Sequence, residues 1–147
     1  MRRHALLVLA AGLLLAADKP EEAVKKDREK IASSWTVVSR ETNGTKVDEE
    51  ELKKIVVTFK ADGSFEVQRD SEKVATGSSK IDPAKKPKEI DIDIKAADGN
   101  ERSVKGIYEI DGDDLKICAG GAGKDRPKEF TGKADTGNTL IVYKRKK

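Results

Sequence analysis

The chain has 147 residues, a length that suits one domain, and 39% of them are charged. Its 30 Lys and Arg against 27 Asp and Glu give a formal charge of +3, a near-balance that argues against a dedicated nucleic-acid binder, which carries a one-sided basic excess. A single Cys excludes an internal disulfide framework, and with aromatics at only 4% the core must come mostly from Val, Ile and Leu.

Arg2, Arg3 and His4 precede an apolar run from Ala5 to Leu15, followed by Ala16, Ala17 and the polar Asp18. This predicts a signal peptide over 1–17, cleaved after Ala17. The run is short for a membrane span, and no stop-transfer flank follows it. The expected destination is the periplasm or the extracellular space, with no transmembrane span in the mature protein. No Cys lies near the cleavage point, which disfavours a lipid anchor. Loss of Arg2 and Arg3 leaves 28 basic against 27 acidic residues, a charge of +1.

Residues 18–33 read as an N-terminal helix or linker. Asp18 and Glu21 have capping-box spacing, Pro20 is tolerated in a first turn, and Glu21–Lys25 and Glu22–Lys26 are favourable i,i+4 pairs. Val24, Ile31 and Trp35 make a narrow stripe with Arg28 between them, so the helix should be mostly exposed and lean on the domain by its C-terminal end. The domain proper is expected over 34–147. Trp35 opens its first strand, with Trp35, Val37 and Ser39 assigned to one face and Thr36, Val38 and Arg40 to the other. Asn43-Gly44 ends the strand as a turn. Asp48-x-x-Glu51 predicts one or two capped helical turns.

From Ile55 the period is two. Ile55, Val57 and Phe59 alternate with Val56, Thr58 and Lys60, then Asp62-Gly63 signals a hairpin and Phe65 and Val67 continue the alternation. Residues 73–81 form a weaker strand in which Gly77 suggests a bend or bulge. After the loop Asp82 to Pro87, Ile90, Ile92 and Ile94 alternate with Asp91, Asp93 and Lys95, the pattern of a sheet with one wet face. Asp98-Gly99 turns the chain into residues 103–110, with Val104, Gly106, Tyr108 and Ile110 on one face. Asp111-Gly112 turns it again into Leu115 to Cys118. A glycine-rich loop follows, Lys128 to Thr131 reads as a short extra strand, and the last strand spans 139–145 with Leu140 and Val142 alternating with Ile141 and Tyr143. The expected fold is all-β: an antiparallel up-and-down meander barrel of about eight strands with a short N-terminal helix.

Several stretches carry a resemblance: Trp35-Thr36-Val37-Val38, Glu50-Glu51-Leu52, Thr58-Phe59, Ile81-Asp82-Pro83 with Lys86-Pro87, the run Gly106 to Gly112, and Arg126-Pro127-x-x-Phe130. In this order the chain resembles the lipocalin and fatty-acid-binding superfamily, and more closely a planctomycete-type family of small exported lipocalin-like domains of unknown function. The resemblance covers about residues 30–145. It implies a barrel and no active site, because that family has no established activity. It also implies structural roles for Trp35, Arg126, Phe130 and Arg145, with Arg145 or Arg126 packing over the Trp35 ring as a cation–π contact.

Candidate chemistry is sparse. The only His leaves with the leader, so the mature chain has no imidazole for a Ser-His or Cys-His pair or for a metal. Cys118 has no evident activating base and reads as a small buried hydrophobe. Asp91 and Asp93 with Asp111, Asp113 and Asp114 match no calcium-loop spacing and read as solvated positions. Gly120 to Lys124 lacks the ending of a phosphate-binding loop. The expectation is therefore a non-enzymatic, monomeric protein without cofactor, and two functions compete. One is binding of a small hydrophobic ligand inside the barrel, with Val57, Val67, Ile92, Leu115 and Val142 as the inward positions. The other is a structural or protein-interaction module of the envelope with a filled core and an envelope protein as partner.

Overall fold

The computed structural model describes residues 19–147; the leader expected over 1–17 and the Asp18 cap lie outside the described residues. A helix, α1 (Lys19–Ile31), places Glu21 and Glu22 in its first turn and Arg28 and Lys30 in its last, the charge order that the helix dipole favours. Asp27 and Ile31 are buried while Lys25 and Lys26 are exposed, so the helix docks through its C-terminal half. No helix among the described residues is long and apolar enough to cross a membrane.

The strands are β1 (Ser33–Thr42), β2 (Thr45–Lys46), β3 (Ile55–Phe59), β4 (Ser64–Arg69), β5 (Glu72–Asp82), β6 (Lys88–Ala96), β7 (Glu101–Asp111), β8 (Asp114–Ala119) and β9 (Thr139–Arg145), with the four-residue helix α2 (Glu49–Leu52) before β3. From β3 to β9 each strand pairs antiparallel with the next, β3 also pairs with β1, and β1 pairs with β9. This makes a closed barrel of eight strands. Closure leaves no long edge to template aggregation. β2 is a two-residue flap on β1, joined by Asn43 and Gly44, whose φ values of 47° and 88° suit the tight hairpin.

Inward residues follow from the register. Ile90, Ile92 and Ile94 pair across to Gly106, Val104 and Arg102, and Tyr108 and Gly106 pair to Ile117 and Ala119. Trp35, Leu115 and Tyr108 are at most 1% exposed and anchor the core. Gly77 is not a bulge. It pairs regularly with Phe65 and Ile94, and a Cβ there would lie 2.4 Å from Phe65 Cζ, so the glycine makes room for the ring. The irregularity in this pair of strands lies instead between Val67 and Gln68. Asp48 stands at the start of α2 as expected, but its side chain makes no capping hydrogen bond.

One barrel end is sealed. Trp35 Nε1 donates to Ile31 O (2.9 Å), and the Arg145 guanidinium lies 4.4 Å from the Trp35 ring centroid. Arg145 also donates to Lys30 O and Gly112 O and pairs with Asp113. Asp27 Oδ2 accepts from Tyr108 Oη (2.7 Å) and Lys88 Nζ (2.8 Å), and Arg28 donates to the Ser79 hydroxyl and carbonyl. The helix is thus riveted across β1, β5, β6, β7 and β9.

Residues 120–138 form a strap across the outside of the barrel. Residues 128–131 are not a strand; the segment bends, and it is held by contacts to the barrel instead. Arg126 donates to Ile90 O (3.2 Å) and Gly106 O (2.8 Å) and pairs with Asp91 (2.7 Å) and Glu89. Pro127 is buried and Phe130 half-buried. Beneath the strap, Cys118 is fully buried and donates to Thr131 O (3.4 Å).

Candidate binding cavity

The end opposite α1 is open. There the barrel encloses a cavity of about 280 Å³. Its floor and walls are apolar, including Val57, Val67, Ile92, Ile94, Val104 and Ile141, and Leu52 of α2 covers one side while Gly120, Gly121 and Ala122 overhang another. The open end faces away from the Trp35 seal because every second connection, including the β4–β5 and β6–β7 turns, lies there.

Of the positions expected to face inward, Val57, Val67 and Ile92 line this cavity. Leu115 is buried and inward but belongs to the packed core beside Tyr143 and does not border the cavity. Val142 is a correction: it pairs with Ser39 and Lys116 on the outer face, while Ile141 and Tyr143 point in. The cause is the sequence Thr139-Leu140-Ile141-Val142-Tyr143, whose two faces are both apolar. The outer side is half-buried there, so polarity does not distinguish inside from outside.

A second correction concerns β1. The register shifts between Val37 and Ser39, where two residues of β1 face one step of β9. This bulge resets the alternation. Val38 turns outward, and Arg40, assigned by simple alternation to the face opposite Trp35, joins Trp35 and Val37 on the inner face and lines the cavity. Arg102 lies at the same rim, opposite Ile94 on β7. Its position was readable, since the alternation Val104, Gly106, Tyr108 and Ile110 extends back two residues to it. The Arg40 position was not, because a bulge has no signature in this stretch.

Tyr143 supplies the other polar group. Its ring meets Phe59 edge-on at 6.3 Å. Its hydroxyl makes no hydrogen bond to a described residue, yet no fully buried side-chain oxygen or nitrogen among them lacks a partner, so the hydroxyl borders the cavity. Burial pushes its pKa up to about 12, while the Arg40 charge nearby opposes the rise. The phenol is neutral at physiological pH.

Other polar features serve the fold. A broad, open concavity of about 790 Å³ crosses β4 to β7; Arg102 borders it too, and its other charges are engaged: Glu66 with Lys60 and Lys73, Lys95 with Glu101, and Asp93 with the Ser103 hydroxyl. The acids weighed as calcium ligands are dispersed, Asp91 to Arg126, Asp113 to Arg145 and Lys147, and Asp114 to Lys144. No cluster of three or more metal-ligating residues occurs among the described residues. The Cys118 thiol pKa is raised by burial, the opposite of an activated nucleophile.

Fold and site together define a closed antiparallel β-barrel with a small apolar cavity at one end. Comparison with protein-family models, curated proteins and solved structures finds no match to this chain.

Proposed function

We propose that the protein is a non-enzymatic, lipocalin-like carrier or sensor that binds a small hydrophobic ligand in the open end of its barrel. The observation that supports this is the cavity itself. Its apolar wall has not collapsed, although interiors ordinarily pack without voids. Its volume of about 280 Å³ stands at the small end of ligand pockets, typically ~300–1,000 Å³. That favours one slender molecule over a bulky polycyclic one. Export, suggested by the leader sequence, would place this binding outside the cytoplasm.

The competing reading, a filled structural module working through its surface, gains little support. Val38 and Val47 are the exposed large hydrophobics among the described residues, and two valine side chains fall short of the area of an interaction patch.

The test is binding of the neutral, apolar fluorophore N-phenyl-1-naphthylamine to the full chain, compared with Ala75→Phe, which fills the cavity from β5. Saturable fluorescence enhancement that Ala75→Phe abolishes without unfolding the protein is expected. No enhancement with the wild-type chain would remove the proposal.

A further inference from the structure

We infer that the glycine-rich arm of the strap is a two-state gate: released from the Arg126 clamp, residues 121–124 zip onto a free edge of β7 and raise the barrel wall beside the cavity. The switch is built into the fold, and only its effect on ligand exchange rests on the cavity-binding reading.

β7 has a free edge at the open end. Residues 101–104 pair with β6 on one side, but on the other side β8 pairs only with residues 106–111. Pairing already runs one step past β8, where Gly120 N donates to Lys105 O (3.0 Å). Hydrogen-bonding direction alternates along an antiparallel strand, so Ser103 presents its N–H and C=O to the same open side as Lys105. The register that sets Ala119 opposite Gly106, carried forward, sets Gly121 opposite Val104, Ala122 opposite Ser103, Gly123 opposite Arg102 and Lys124 opposite Glu101. The arm suits this register in three ways. Residues 121–124 match the unpaired 101–104 in length. Lys124 meets Glu101, a favourable cross-strand charge pair. Gly121 and Gly123 fall on the cavity side with Val104 and Arg102, where they add no side chain to the lumen.

In the structure the arm is a turn instead. Lys124 N donates to Gly121 O (3.0 Å), and Gly123 has a φ of 74°. The arm doubles back so closely that a Cβ on Gly120 would lie 2.5 Å from Asp125 O. The clamp holds it there, through Arg126 on Ile90 O, Gly106 O, Asp91 and Glu89. With Lys124 opposite Glu101, the end of the arm would lie about 17 Å along β7 from Gly106, at ~3.3 Å per residue. Two more residues span at most about 7 Å, too little to return Arg126 to those carbonyls even with its side chain extended. Clamp and zipped arm therefore exclude one another, and the strap is bistable. Glycine weakens a strand, so the arm stays unzipped while the clamp holds.

The experiment is amide exchange by NMR on the full chain, with wild type compared to Arg126→Ala and to Gly120→Ala. The second variant keeps every clamp group and crowds only the doubled-back arm. In both variants the Ser103 and Ala122 amides should exchange at least about tenfold more slowly than in wild type, because zipping pairs them. The Gly123 and Arg102 Hα protons should then show a cross-strand Overhauser effect. Lys124→Glu added to Arg126→Ala should restore fast exchange at Ser103 by repulsion from Glu101, and a further Glu101→Lys should slow it again. Ser103 exchanging as fast in both variants as in wild type, with the rest of β7 still protected, would overturn the switch. N-phenyl-1-naphthylamine should dissociate more slowly from Arg126→Ala than from wild type. Unchanged dissociation with Ser103 protected would overturn the gating. No binding of the fluorophore to any chain would remove the cavity reading and the gating with it, and exchange at Ser103 would still decide the switch.

Discussion

Trp35 and Tyr143 mark the two levels of the barrel interior. Trp35 is fully buried, hydrogen-bonded to α1 and stacked under Arg145. Trp35→Ala should cost about 3–5 kcal/mol, read from denaturant midpoints. Arg145→Ala should cost less, because a cation–π contact contributes about 0.5–2 kcal/mol. The chain has only two tyrosines, and burial raises the pKa of both, with the Asp27 hydrogen bond also raising that of Tyr108. A spectrophotometric titration should therefore show almost no tyrosinate near pH 10 in the native protein and about half ionisation there in denaturant. The folded state holds these protons more tightly, so stability is complete below the unfolded pKa near 10. It falls as pH rises from there through the folded value of about 12 for Tyr143. Normal ionisation at pH 10 without unfolding would contradict the burial of both rings.

Individual elements owe their placement to contacts of unequal legibility. The Ile90, Ile92, Ile94 alternation and the Asp-Gly turns are written plainly, and β6 and its hairpins follow from them. The β1 bulge and the inward face of β9 are not. The first depends on how β1 must bend to pair with both β3 and β9, and the second on the outer face of β9 being half-buried at Leu140 and Val142. The strap itself was invisible as a unit, because Arg126 reaches carbonyls of β6 and β7 that local sequence cannot specify. Arg126→Ala should release it at a cost of about 1–3 kcal/mol. Cys118 reports this directly: the native thiol should be inert to Ellman's reagent, and in Arg126→Ala it should react before global unfolding. At the sealed end, Asp27→Ala strands the Tyr108 hydroxyl and the Lys88 ammonium. It should loosen α1, seen as faster amide exchange in residues 19–31 relative to β7.

Across the molecule, charge and packing are divided by end. Near α1, polar groups are matched to one another and rigidify the seal; at the open end, Arg40, Arg102 and Tyr143 are left facing a void. A closed meander was legible from strand spacing, and so were three of the cavity-lining valine and isoleucine positions, because period-two patterning reports the inner face wherever the outer one is wet. The cation pair was not legible as a pair: it exists only once the barrel closes and the bulge turns Arg40 inward. Methyl NMR of the full chain titrated with N-phenyl-1-naphthylamine tests the central claim most directly. Saturable shifts should appear at Val57, Val67, Ile92 and Ile141, with Val38 and Val142 on the outer face unmoved. Shifts confined to the outer methyls, or none at saturating N-phenyl-1-naphthylamine, would contradict a ligand-binding interior.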